Sequence, residues 1–247
     1  MKVAIIIPAR LASSRFPEKP LAFIGKETMI QRVYNQALKV KTADSVFVAT
    51  DHQKIYDHVV GFGGNVVITD PQLPSGTDRV FAAARSLNQN FDLIVNLQGD
   101  EPFINPEVIE ALIAEFQNPE VQIATMASQI TDIEEVINPN LVKIVLSDDH
   151  SALYFSRSPI PYLRGVKQAD WLNHGIFYQH IGLYAYRMDT LGKLVGLEQS
   201  PLEKMESLEQ LRWLQAGYKI KVSLTDYKSF GIDTPEDLQQ AKHLFNI

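Results

Sequence analysis

The sequence predicts an α/β fold in which a mostly parallel, twisted sheet is flanked by helices and a smaller β-rich lobe spans roughly residues 140–190. Three observations predict it. The chain opens on a continuous apolar run, Val3 to Ile7, which suits a strand buried on both faces rather than one that alternates. Strand and helix periodicities then alternate through the first half, as a parallel sheet with crossover helices requires. Near residue 140 that alternation stops and a hairpin pattern takes over.

Taken in order, the opening strand is followed by Met29, Ile30, Val33, Tyr34, Ala37 and Leu38 at helical spacing, and Ser45–Thr50 reads as the next buried strand. Asn65–Thr69 and Phe91–Leu97 read as further strands. Pro106 fits the first position of a helix capped by Asn105, with Val108, Ile109, Leu112, Ile113 and Phe116 as its inward stripe. Val142–Leu146, the polar turn SDDHS and Ala152–Phe155 form a hairpin pattern, and Gly182–Tyr186 is another strand. The same lobe carries Trp171, Phe177 and Tyr178 in surroundings that read as exposed, and clustered surface aromatics mark partner surfaces. Ser200, Pro201 and Glu203 start a helix with capping-box spacing, and Gly217 is placed to end it. The whole reads as one domain over residues 1–247 with the lobe inside it.

Composition narrows the function. The chain has 45% hydrophobic and 21% charged residues, ordinary for a globular domain. No apolar run approaches the ~18 residues of a membrane span, and the N-terminus enters a strand without a signal-peptide pattern, so the default expectation is cytoplasmic. With no cysteine there are no disulfides, thiolate metal sites or cysteine nucleophiles. A net charge of −6 argues against general nucleic-acid binding. The histidines show no zinc spacing and no serine nucleophile constellation is present, which favours direct group transfer without a covalent enzyme intermediate.

The cations are concentrated locally. The opening strand runs into a loop carrying Arg10, Arg15 and Lys19, with no glycine between Met1 and Ile24 to form a backbone phosphate cradle. Two guanidinium forks and an ammonium therefore face the crevice at the carboxyl end of the strand, where a polyphosphate fits. The alternative is a solvated basic loop. Asp100, in QGDEP, follows a buried strand and could hold Mg²⁺ against a nucleoside triphosphate; it could also be an ordinary turn aspartate, and Glu101 beside it competes for the role. In GIDTPEDL, Thr234, Pro235 and Asp237 make a complete helix cap, which leaves the Asp233 carboxylate over for a metal or for the helix dipole. Ser75, Gly76, Thr77 and Arg79 in LPSGTDRV could read a pyrimidine edge or form no more than a turn and an N-cap.

These segments carry a resemblance. PARLASSRFPEKPL with GKETMIQRVY, then LPSGTDRV, NLQGDEPFI, ALYFSRSPIPY, HIGLYAYR, LEQLRWL and FGIDTPEDL, in this order over nearly the whole chain, resemble the sugar nucleotidyltransferases, most closely the 3-deoxy-manno-octulosonate (Kdo) cytidylyltransferases. The resemblance implies a nucleotide-diphospho-sugar transferase type of fold, homodimers formed through the lobe, and transfer of CMP from CTP to Kdo with release of pyrophosphate, for lipopolysaccharide or capsule synthesis. It implies CTP binding by Pro8, Ala9, Arg10, Arg15, Lys19, Ser75, Gly76, Thr77 and Arg79, and Mg²⁺ held jointly by Asp100 and Asp233, with Arg10, Lys19, Asp100 and Asp233 as the catalytic set. Gln98, Arg157, His180, Tyr184 and Glu209 are the residues it assigns to the sugar. Each has a plainer reading: His180 as a structural histidine, Tyr184 as core, and Glu209 as the i,i+3 partner of Arg212. On a single helix Glu209 would share the face of Leu202 and Met205, turned toward the packed side. Rival functions are a cytidylyltransferase for another acidic sugar, such as sialic acid, and a non-catalytic nucleotide-sugar sensor.

Overall fold

In the computed structural model, which describes residues 1–12 and 15–244, the apolar opening run is strand β1 (Val3–Ala9), and its hydrophobic residues are fully buried. Asp92 and Asp44 accept hydrogen bonds from the backbone N–H groups of Lys2 and Val3 at 2.6 and 2.7 Å, fixing the strand's start. A loop with a 3₁₀ turn at Lys19–Leu21 and a short hairpin of β2 (Phe23–Ile24) and β3 (Glu27–Thr28) lead into α1 (Met29–Ala37). Thr28 caps α1 through the Gln31 N–H, and Met29, Ile30, Val33, Tyr34 and Ala37 form its buried face. Leu38 only closes the helix and stays exposed.

The next elements are β4 (Ser45–Thr50), α2 (Gln53–Gly61), β5 (Val66–Ile68), α3 (Gly76–Ser86), β6 (Leu93–Asn96) and α4 (Pro106–Ala114). Strands β6, β1, β4 and β5 lie side by side in that order and run parallel, with Ile6 opposite Asn96 and Ala9 opposite Thr50. Helices α1, α2 and α3 pack against these strands. Asn105 caps α4 by accepting from the Glu107 N–H at 3.0 Å. Its stripe Val108, Ile109, Leu112 and Ile113 is buried, and Phe116 joins it from the following 3₁₀ turn.

Beyond α4 come β7 (Ile123–Gln129), α5 (Ile133–Ile137), β8 (Lys143–Leu146), β9 (Ala152–Ser156), α6 (Trp171–His174) and β10 (Tyr178–Arg187). β8 and β9 are the expected hairpin, antiparallel with Ile144 opposite Phe155. The chain ends with α7 (Met188–Val195), α8 (Pro201–Glu206), α9 (Gln210–Gln215), β11 (Lys221–Leu224) and α10 (Pro235–Leu244), and β11 pairs parallel to β7. The chain folds as two compact units, the first formed by Met1–Ile113, Ala185–Val195 and Ser229–Ile247 and the second by Ala114–Tyr184 and Gly196–Lys228. The lobe expected near 140–190 falls for most of its length in the second unit, which begins earlier and takes up Gly196–Lys228 as well.

Two expectations need correction. Trp171 and Phe177 are buried, not exposed: their rings stack at 5.7 Å and pack with Ile130 and Val136, while Leu163 and Val166 close over them. The second correction concerns the helix expected to run from Ser200 to Gly217. The Ser200/Glu203 capping box forms as expected, but α8 stops at Glu206, Ser207 turns left-handed at φ 53°, and α9 starts afresh. Arg157 meets the break: its Nε donates to the Glu206 carbonyl at 2.8 Å, satisfying an acceptor that the helix end leaves open. The break also removes the helical face expected to align Glu209 with Met205, which is exposed. Among the described residues no helix is long and apolar enough to cross a membrane.

Candidate active site

Pro8 and Ala9, the last residues of β1, anchor the site of the first unit. Gly99 lets a neighbouring turn approach Pro8 closely, because a Cβ there would meet the Pro8 carbonyl at 3.0 Å, while Gly76 lies in ordinary contact with the Pro8 ring. The turn carrying Asp100 and the start of α3 are both laid against the end of β1. Arg10 adds a tether, donating from Nη2 to the Leu73 carbonyl at 2.7 Å.

On this frame the structure gathers Lys19, Asp100, Asp233 and Arg15. Lys19 Nζ stands between the two carboxylates, 2.8 Å from Asp100 Oδ2 and 2.9 Å from Asp233 Oδ1. Arg15 Nη1 meets the other oxygen of Asp233 at 3.2 Å. Burial opposes the charged form of Lys19, but Asp100 and Asp233 outweigh it and raise the ammonium pKa. Burial likewise opposes the Asp233 carboxylate, and Lys19 and Arg15 outweigh it and hold that carboxyl below its usual value. Asp233 is available because Thr234 and Asp237 satisfy the cap of α10 between themselves, with bonds at 2.8 and 3.1 Å.

Glu101 is engaged elsewhere: its carboxylate accepts a short hydrogen bond from Ser229 Oγ, so Asp100 alone of this pair meets Lys19. Ser75 is the N-cap of α3, accepting from the Asp78 N–H at 3.1 Å, with Gly76 and Thr77 in the first turn. Arg79 sits deeper. It is fully buried, meets Asp51 at 3.0 Å and donates to Thr69 Oγ1; burial lowers its pKa against the pull of Asp51. The Asp51 and Thr69 side chains therefore hold its guanidinium.

Gln98 also belongs to the first unit, where its amide donates to Asn96 Oδ1 at 3.2 Å. The other four sugar-assigned residues lie in the second unit. There His180 Nε2 hydrogen-bonds Thr125 Oγ1 at 3.0 Å, and its ring lies 5.0 Å from Phe155 and 5.3 Å from Tyr184. Burial drives the His180 pKa down to about 3, so the imidazole is neutral at neutral pH. Burial, with the charge of Glu209 acting in the same sense, pushes the Tyr184 phenol well above its usual value, against the opposing influence of Thr125. Glu209 meets Arg212 at 2.7 Å, the i,i+3 pairing, and Arg212 also lies 3.4 Å from Glu203. Arg157 binds three carbonyls, those of Glu206, Pro139 and Ser207, which uses part of its five-donor fork.

Several supporting residues have no motif to announce them. Thr125 is a polar residue inside the apolar strand β7, and Asp51 follows the buried strand β4 as Asp100 follows β6; both could be found by that signal. Ser229 and Glu206 act only through partners distant in sequence.

The cytidylyltransferase family profile matches residues 4–220. A 3-deoxy-manno-octulosonate cytidylyltransferase of Parabacteroides distasonis is 51% identical, with 98% of this chain and 97% of that protein covered. The protein of the same name from Thermodesulfovibrio yellowstonii is 46% identical over 100% and 99% of the two chains. A solved CMP:2-keto-3-deoxy-manno-octonic acid synthetase complexed with CTP superposes with a TM-score of 0.92 at 39% identity, covering 100% of this chain and 99% of that one. On sequence, fold and the gathering of its basic loop with two strand-end and helix-start aspartates, the chain belongs to the cytidylyltransferase family, among the 3-deoxy-manno-octulosonate cytidylyltransferases.

Proposed function

We propose that the protein transfers CMP from CTP to the anomeric hydroxyl of 3-deoxy-D-manno-octulosonate, giving CMP-Kdo and pyrophosphate. The observation that carries this reading is the Lys19 ammonium bridging Asp100 and Asp233 past the carboxyl end of β1, with Arg15 beside it. Two carboxylates that already share one cation suit a divalent ion. No cluster of three metal-binding side chains occurs among the described residues, and Asp100 and Asp233 are the carboxylates that would hold Mg²⁺ there. When bound there by Asp100 and Asp233, Mg²⁺ supplies charge neutralisation to the triphosphate.

Lys19 and the forks of Arg10 and Arg15 bind phosphate oxygens and stabilise the charge that develops as pyrophosphate leaves. The first turn of α3, with Ser75, Gly76 and Thr77, presents backbone N–H groups to the nucleotide. In the second unit, the neutral His180 imidazole and the protonated Tyr184 phenol offer hydrogen bonds to sugar hydroxyls, and the remaining N–H groups of Arg157 suit the sugar carboxylate. Attack by the sugar hydroxyl on the α-phosphorus needs positioning and charge neutralisation rather than an enzyme nucleophile. A homodimer, a cytoplasmic setting and a place in lipopolysaccharide synthesis are part of the same reading, on the family resemblance.

Pyrophosphate release measured with CTP, Mg²⁺ and a panel of sugar acids tests it. Kdo should support turnover, and Asp100→Asn or Asp233→Asn should abolish it while leaving the fold intact. Turnover of sialic acid in place of Kdo would give the activity to the nearest rival, and no turnover with any acid would favour the sensor.

A further inference from the structure

Asp100 and Asp233 come from segments far apart in the chain, the turn after β6 and the approach to α10, yet both must meet one ion. Mg²⁺ tolerates little error, binding oxygens at about 2.0–2.1 Å in near-ideal octahedral geometry. A flexible lysine can bridge carboxylates over a range of separations; a metal needs the separation set in advance.

Two hydrogen bonds stitch the segments together. The Ile232 N–H donates to the Asp100 carbonyl at 2.9 Å, and Ser229 Oγ donates to Glu101 Oε1. Between them, Phe230 packs with Phe16 and Phe103 against the cluster of Ile24, Met29 and Ile232. Gly231 lies directly over the carboxylate, since a Cβ there would be 3.6 Å from Glu101 Oε1. On its other side Asp233 is held to α10, its N–H donating to Asp237 Oδ2 at 2.9 Å. Glu101 is only 9% exposed, so its charge is largely withdrawn from water and its hydrogen bonds are costly to lose.

We propose that the Ser229–Glu101 hydrogen bond is a latch that sets the separation of the Asp100 and Asp233 carboxylates, which makes Ser229 and Glu101 positioning residues for the metal. The inference rests on the reading that the two aspartates hold Mg²⁺. It also assigns different tasks to the adjacent acids of QGDEP: Asp100 faces the cation and Glu101 fixes the partner segment.

The test is a titration of Mn²⁺ into the full-length enzyme with CTP, following free Mn²⁺ by electron paramagnetic resonance. Metal-free CTP affinity and Tm are measured alongside. Outer-shell hydrogen bonds to metal-binding groups are commonly worth about 10–100-fold in affinity, so Ser229→Ala should weaken Mn²⁺ binding about tenfold. Metal-free CTP binding should stay near the native value, Tm should fall by no more than the loss of one hydrogen bond brings, and Ser229→Thr, which keeps the hydroxyl, should restore the metal. Asp233→Asn is the control. If Asp233→Asn loses Mn²⁺ and Ser229→Ala does not, the latch is overturned and the metal reading stands. If neither loses it, both fall. If Ser229→Ala loses metal and metal-free CTP affinity in equal measure, or Ser229→Thr fails to rescue, the bond supports the loop in general and the latch is again overturned.

Discussion

At the scale of single residues, the first unit rests on charges placed where water is scarce. Arg79 is 0% exposed, and Asp51 at 3.0 Å is the countercharge that makes its burial tolerable. Removing one member of a buried ion pair commonly costs about 3–5 kcal/mol, because the other charge is left uncompensated, whereas replacing both by apolar groups is often near neutral. Asp51→Ala should therefore lower the unfolding free energy by about that amount in urea denaturation. The double variant Asp51→Ala/Arg79→Met should recover much of the loss. Equal losses in the two would show that packing, not charge, governs the site. The Asp51–Arg79 pair also shows what sequence could not: nothing local in LPSGTDRV reveals that its arginine turns inward to an aspartate that follows β4.

At the scale of elements, what was legible followed from local chemistry. The Asn105 and Ser200 caps and the buried stripes of α1 and α4 depend on residues within a turn or two, and each formed where the pattern put it, Leu38 alone of the expected α1 stripe staying exposed. The strand-end placement of Lys19 and Asp100, and an Asp233 left over by its own helix cap, were legible for the same reason. What depended on distant partners was not. The break between α8 and α9 is met by Arg157, about fifty positions earlier, which satisfies the Glu206 and Ser207 carbonyls. Arg157 thus has a structural task beside the one proposed at the sugar. Arg157→Ala should reduce stability by about 1–3 kcal/mol through the unmet carbonyls, as well as raising the Kdo requirement. Arg157→Lys cannot reproduce the fork, so it should recover only part of the stability. Urea denaturation beside separate titrations of CTP and Kdo checks this; a Kdo effect with native stability would mean that the carbonyl bonds contribute little.

At the scale of the whole molecule, the buried titratable groups fix how stability responds to acid. His180 has a folded pKa of about 3 against an ordinary value of 6.5, because burial disfavours the imidazolium. Between those values the unfolded chain binds a proton that the folded chain does not, so stability falls as pH drops from about 6.5 toward 3, by at most ~1.4 kcal/mol per unit for this one group. Above 6.5 both states are neutral at this histidine and it adds no slope. Asp233 acts in the same direction but later: its folded pKa lies below the ordinary 3.8, so the stability it contributes is lost only at lower pH. Near pH 5 the two are therefore separable; His58, whose pKa burial also lowers, acts in the same window, so the share of His180 is read from a variant. Replacing His180 with glutamine, which can still bond Thr125, removes the titration while keeping a polar partner. In urea denaturation His180→Gln should be less stable than the native protein at neutral pH, and its deficit should shrink or reverse by pH ~4.5 as the native protein meets the cost of its unprotonated imidazole. A deficit that stays constant over that range would show that burial does not lower the His180 pKa in the folded protein.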